Sequence, residues 1–164
     1  MAISKAQVAV LVVVVMAATA MMSPASGAYT GCGQTRKVTV QNLCGHDLAL
    51  SEFPVANSAP LFGPGFVLRH GTHAEFQVCS WTGSVSAPEA APVEFHVGPD
   101  GGAWYQVSNT QGGRVRVTVT PHGYPLQGHC PAAGCRDHGQ CFAHAVPGGN
   151  CHNVDELKII YYAP

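Results

Sequence analysis

Between residues 92 and 123 the chain reads PVEFHVGPDGGAWYQVSNTQGGRVRVTVTPHG, and its apolar residues recur at every second position. Val93, Phe95 and Val97 alternate with Glu94 and His96, while Val115, Val117 and Val119 alternate with Arg114, Arg116, Thr118 and Thr120. A period of two places the apolar set on one face of an extended strand and the polar set on the other. An α-helix would scatter the same valines around its circumference. Gly101-Gly102 and Gly112-Gly113 stand where hairpin turns need positive φ, so the stretch predicts three strands joined by two glycine turns.

The same texture extends through the chain. KVTVQNLC, residues 37–44, predicts a first strand, and residues 48–53 a second after the Cys44-Gly45-His46-Asp47 turn. Residues 54–65, rich in Pro, Gly, Ala and Ser, predict a loop. Phe66-Val67-Leu68 then leads to a turn at His70-Gly71-Thr72, and residues 74–81, AEFQVCSW, predict another strand. Residues 84–92 predict a second loop, and residues 121–153, with four cysteines and little apolar periodicity, a loop region stabilised by disulfides. DELKIIYY, residues 155–162, supplies a last strand. With seven or eight short strands and no helical period beyond residue 28, the expected fold is all-β, a β-sandwich or flattened barrel of short antiparallel strands.

Residues 1–28 carry Lys5, an apolar run over 8–22 and the small residues Ala25-Ser26-Gly27-Ala28, the pattern of a secretory signal peptide. The run is shorter than the roughly 20 residues a bilayer span requires. Residues 29–164 are then one domain, expected outside the cell and, in a plant, in the apoplast. A net charge of −1 with 10% charged residues gives no electrostatic reason to expect nucleic acid or an anionic membrane as partner. Seven cysteines, Cys32, Cys44, Cys79, Cys130, Cys135, Cys141 and Cys151, follow the leader and are expected as disulfides. Their odd number leaves three bridges plus a thiol, or an intermolecular bridge, so monomer and disulfide-linked dimer are both open. Nine histidines suggest zinc, but no Cys-x2-Cys or His-x3-His spacing accompanies them, and no metal or cofactor is expected.

The order of motifs resembles the thaumatin-like proteins, the osmotin or pathogenesis-related family 5. KVTVQNLC is similar to the family's opening strand, LFGPGFVLRHGTHAEFQV to its Pro-Gly turn and next strand, and VEFHVGPDGGAWYQVSNTQGGRVRVTVTPHG to its central stretches. GHCPAAGC resembles its paired cysteines and LKIIYYAP its closing strand. The resemblance covers the whole chain after the leader and matches a small subtype lacking most of the second domain. It implies a secreted, antifungal defence protein with a β-sandwich core that binds fungal cell-wall glucan. It also implies that Cys44 has lost its partner, because Ala163 replaces the family's closing cysteine; Cys32 could substitute. The family's long signature ending in Thr-Gly-Asp-Cys is absent, and CSWTGS, residues 79–84, is at most a remnant of another segment.

The resemblance places Glu94 on a glutamate of the family's acidic cleft, and Gln106 and Gln111 where aspartates stand. Glutamine keeps hydrogen-bonding capacity without charge. Glycoside hydrolysis generally needs two carboxyl groups about 5 to 9.5 Å apart, and Asp100 belongs to a Gly-Pro-Asp-Gly turn. The expectation is therefore a non-catalytic binder of β-1,3-glucan-type polysaccharide using Glu94, Trp104, Gln106 and Gln111. Trp81, Trp104 and Tyr105 all have faces suited to stacking on sugar rings; the alternation set by Val107 turns Tyr105 inward and Trp104 outward. Arg114 and Arg116 form a small basic ridge on a solvated strand face. The alternative is an inhibitor of microbial glycosidases, with a microbial glycosidase as partner and loops 54–65 and 84–92 as contact surface. A weak glucanase with Glu94 as acid is the third reading.

Overall fold

The computed structural model describes residues 32–108, 114–137, 140–141 and 145–163. Among these residues the regular elements are all strands: β1 (Arg36–Leu43), β2 (Leu48–Ala49), β3 (Ser51–Pro54), β4 (Val67–Leu68), β5 (His73–Val78), β6 (Trp81–Ser86), β7 (Val93–Val97), β8 (Ala103–Val107), β9 (Arg116–His122), β10 (Gln127–Gly128), β11 (Ala133–Asp137), β12 (Gln140–Cys141), β13 (Ala145–His152) and β14 (Glu156–Tyr162). One six-stranded sheet has the order β12-β11-β9-β14-β1-β5, a second the order β10-β13-β8-β7-β6-β3, and β2 with β4 makes a small ribbon. The fold is all-β, as the alternation requires. Among the strands of the described residues pairing is antiparallel except between β1 and β14, which run parallel, and an isolated parallel bridge joins Ala90 to Val115.

The two large sheets share one core. Val38, Val40, Leu157, Ile159, Tyr161, Val117 and Val119 fill it from the first sheet, and Trp81, Val85, Val93, Phe95, Val97, Tyr105 and Val107 from the second. Trp81 stacks on Phe95 with ring centroids 4.5 Å apart. A Cβ at Gly83 would stand 2.8 Å from the Trp81 ring, so glycine is what lets the indole lie flat there. Arg36, 5% exposed, links the layers: its guanidinium donates to Asp155 at 2.7 Å and to the Pro99 carbonyl at 3.0 Å.

Hairpin β7–β8 forms as the glycines predict. Gly101 has φ 80°, and its carbonyl accepts from the Val154 N–H at 3.0 Å. Gly112 and Gly113 lie outside the described residues, and the strand after them corrects the second hairpin. β9 pairs with β14 and β11 in the first sheet, while β8 pairs onward with β13. Alternation specifies which face of a strand is buried, not which neighbour it bonds, and Val115, Val117 and Val119 serve the core equally well from the opposite wall.

Three further expectations change. Residues 84–86 continue β6 rather than opening a loop, because the chain crosses at Cys79-Ser80 from β5 in one sheet to β6 in the other. The predicted second strand is split into β2 and β3, which join different sheets. Between residues 121 and 153, where a loop region is expected, β10 to β13 complete the sheet edges. Backbone pairing to existing edges organises that segment despite its weak side-chain period, and a Cys130–Cys151 disulfide ties it down. The predicted loop at 54–65 is a loop pinned by side chains: Glu52 accepts from the N–H groups of Leu61 and Phe62, and Trp81 donates through Nε1 to the Ala59 carbonyl at 3.0 Å. Phe62 and Phe66 then pack on Phe76 over edge strand β5.

Cys32 bonds to Cys79, which excludes the Cys32–Cys44 pairing left open above. Cys135 is also disulfide-bonded. Among the described residues Cys44 is the free thiol and is fully buried. Burial, then the charge of Glu89, raises its pKa and keeps it protonated. Its backbone N–H donates to Asn42 Oδ1 at 2.8 Å, and Asn42 Nδ2 donates to the carbonyls of His46 and Leu68 at 2.9 Å each. This buried asparagine thus satisfies three backbone groups at the end of β1. Asn42→Ala is expected to lower stability by about 2–4 kcal/mol, seen as a reduced urea midpoint at unchanged slope, because those groups lose their partner.

Burial also raises the Tyr105 phenol to about 12 and pushes Tyr161 up. A phenol whose folded pKa exceeds its unfolded value stabilises the fold fully below the unfolded value. That contribution is lost as pH rises through the folded one. Stability is therefore expected to fall between pH 10 and pH 12, the ordinary and shifted values for Tyr105. In a spectrophotometric titration, part of the tyrosine signal should ionise only together with loss of the near-ultraviolet dichroism of the fold.

Candidate functional site

The alternation that buries one face of the second sheet exposes the other. Cross-strand register aligns Phe53, Ser84, Glu94, Gln106 and Ala145 in one outward row across β3, β6, β7, β8 and β13. A neighbouring row runs through Thr82, His96 and Trp104, and the Val55 N–H donates to the Thr82 carbonyl at its β3 end. Of the four predicted ligand contacts, Glu94, Trp104 and Gln106 meet on this face, whereas Gln111 lies outside the described residues.

Pairing on the face is specific. Gln106 Nε2 donates to Glu94 Oε2, so the amide standing directly opposite the carboxylate is its partner. An aspartate at 106 would place like charges opposite one another, a destabilising arrangement. Trp104 stacks with His96 at a centroid distance of 6.3 Å and an interplanar angle of 18°. The His96 ring is held in turn by Thr82, whose Oγ1 lies 2.7 Å from Nδ1. The surface carries hydroxyl, amide, carboxylate and imidazole groups beside the half-buried Trp104 ring.

The other aromatic candidates separate by burial. Tyr105 points inward and is fully buried, with its hydroxyl donating to the Pro131 carbonyl at 2.6 Å, and Trp104 points outward and is half-buried, as the Val107 alternation requires. Trp81, a stacking candidate by composition, is 1% exposed and belongs to the core. Its outward neighbour Thr82 reaches the face instead.

Asp100 is a turn residue. Its Oδ1 accepts from the Gly102 N–H at 3.0 Å, and that bond holds the carboxyl below its ordinary range. Glu94 faces Ser84 on one side and Gln106 on the other. Among the described residues no group of three or more His, Cys, Asp and Glu side chains is placed to hold a metal ion. Sequence reasoning missed Phe53, Thr82, Ser84 and His96. The first is 67% exposed on a strand edge, and the signal that identifies all four is cross-strand register.

An all-β sandwich with an outward polar and aromatic sheet face defines the structural class. No family model matches the chain, and no curated protein matches it. Among solved structures it is similar to the protein elicitor MoHrip2 from Magnaporthe oryzae, with 20% identity over 78% of this chain and 99% of that one and a TM-score of 0.46.

The two tryptophans are expected to behave oppositely. Trp81→Ala should destabilise the protein by about 3–5 kcal/mol, and Trp104→Ala by about 1 kcal/mol or less. Iodide should quench the emission of Trp104 and leave that of Trp81, so the quenchable fraction disappears in the Trp104 variant alone.

Proposed function

We propose that the protein is a secreted, non-catalytic binder of cell-wall polysaccharide of the β-1,3-glucan type, and that it binds through the outer face of the second sheet. The observation that carries this reading is the Trp104–His96 stack beside the Glu94–Gln106 pair on one outward sheet face. An aromatic plate offers apolar area to the C–H face of a sugar ring, and the neighbouring groups offer donors and acceptors to its hydroxyls. Glu94 has an amide and a hydroxyl as its cross-strand neighbours, which favours binding over hydrolysis. The resemblance of the motif order to thaumatin-like defence proteins points to the same ligand class.

Secretion is compatible with the disulfides, and no helix among the described residues is long and apolar enough to cross a membrane. A monomer fits the burial of the Cys44 thiol, which is out of reach of a second chain. The glycosidase-inhibitor alternative has less support. Ala87, Ala90 and Ala91, in one of its two expected contact loops, are buried in the core.

Retention on insoluble β-1,3-glucan is the test. The wild-type protein should sediment with the polymer, and Trp104→Ala should remain in the supernatant with its melting temperature nearly unchanged. Absence of wild-type retention, or full retention of the Trp104 variant, overturns the assignment of this face.

A further inference from the structure

Phe53 is 67% exposed although it lies within a strand, and Val55 beside it is 54% exposed. A single exposed aromatic carries no meaning by itself; what gives Phe53 weight is that it shares a sheet face with Trp104. Its direction is set by register. Phe53 pairs with Ser84, Ser84 with Glu94, and Glu94 with Gln106, all on the outward side. Phe53 and the β8 strand that carries Trp104 are therefore three strand spacings apart, about 14 Å, on the same face.

Between these aromatics the floor is polar, with Glu94 as a single carboxylate among hydroxyl, amide and imidazole groups. Ser84 and Thr82 contribute hydroxyls, the Gln106 amide binds Glu94, and His96 is held by Thr82. Such a floor suits an uncharged, hydroxyl-rich ligand and offers no concentrated charge to an anionic one. A single hexose covers one plate. A chain of several hexoses lying across the strands covers both plates and passes over the hydroxyls between them.

Resting on the glucan reading above, we infer that Phe53 is a second stacking platform and that the face selects oligosaccharides long enough to span from Phe53 to Trp104. The ligand lies across β3, β6, β7 and β8, with Trp104 anchoring one end and Phe53 engaging only when the chain is long enough to reach it. Length selectivity then follows from linking two contacts in one ligand.

Isothermal titration with laminaribiose and laminarihexaose tests this. Wild-type protein should bind the hexaose about two- to tenfold more tightly than the biose, the value of one added aromatic contact. Phe53→Ala should reduce hexaose affinity to about the biose level while leaving biose affinity unchanged, and Phe53→Tyr should retain the preference for the longer chain. Thermal melts should be nearly the same for all three proteins, because the Phe53 side chain is exposed. Unchanged hexaose binding by Phe53→Ala overturns the second platform alone. Failure of the wild-type protein to bind either sugar overturns the glucan reading with it.

Discussion

The placement of β14 between β1 and β9 is the constraint on which the rest of the molecule depends. Each of its seven residues is in register with β1 on one side and with β9 on the other. Its inward residues Leu157, Ile159 and Tyr161 are fully buried at the centre of the core. Without this strand the first sheet would separate into β1 with β5 and β9 with β11 and β12. The second sheet would then have no continuous wall to pack against. Because the last strand pairs with the first, those contacts span nearly the whole domain, and loop-closure entropy must be met before they form. The Cys32–Cys79 and Cys130–Cys151 bridges reduce that entropy by holding β1 near the β5–β6 corner and β13 near its neighbours.

Much of this was legible in the sequence wherever side chains alternate. β1, β7, β8 and β14 follow directly from their valines, leucines and isoleucines, and the inward and outward senses of Tyr105 and Trp104 follow with them. Connectivity was less legible, since the same valine pattern in β9 is compatible with either sheet. The segment from 121 to 153 hides its strands because their order comes from backbone pairing at sheet edges, with glycine, proline and cysteine in place of an apolar period. The candidate face was legible in part. Glu94, Trp104 and Gln106 came from one local stretch, whereas Phe53, Thr82 and Ser84 join it through register across strands β3 and β6, which no local pattern encodes.

Polar groups are matched with similar economy on the first sheet's outer face. Lys37 lies 3.2 Å from Glu75 and 3.4 Å from Glu156, and Thr39 donates to Glu156 at 2.5 Å. Burial alone would raise the Glu156 carboxyl, but the Thr39 and Lys37 bonds outweigh it and hold the pKa below the ordinary range. This face is a network of charges answering one another. The second sheet's face instead pairs its one carboxylate with an amide and an imidazole with a hydroxyl, and carries the half-buried Trp104 beside them. Two faces built on the same strand geometry thus differ in the polarity they present to solvent.

Along β7 and β8, every outward residue is flanked by inward residues of the core: Glu94 by Val93 and Phe95, His96 by Phe95 and Val97, Trp104 by Ala103 and Tyr105, Gln106 by Tyr105 and Val107. Substitution at the outward positions can therefore change the chemistry of this face while the interior stays as it is. A one-residue insertion within either strand would instead exchange the two faces, sending core residues to solvent and the outward residues inward. Diversification of this surface is thus open to point replacement and closed to changes in strand length, so variation in length belongs in the connections between strands.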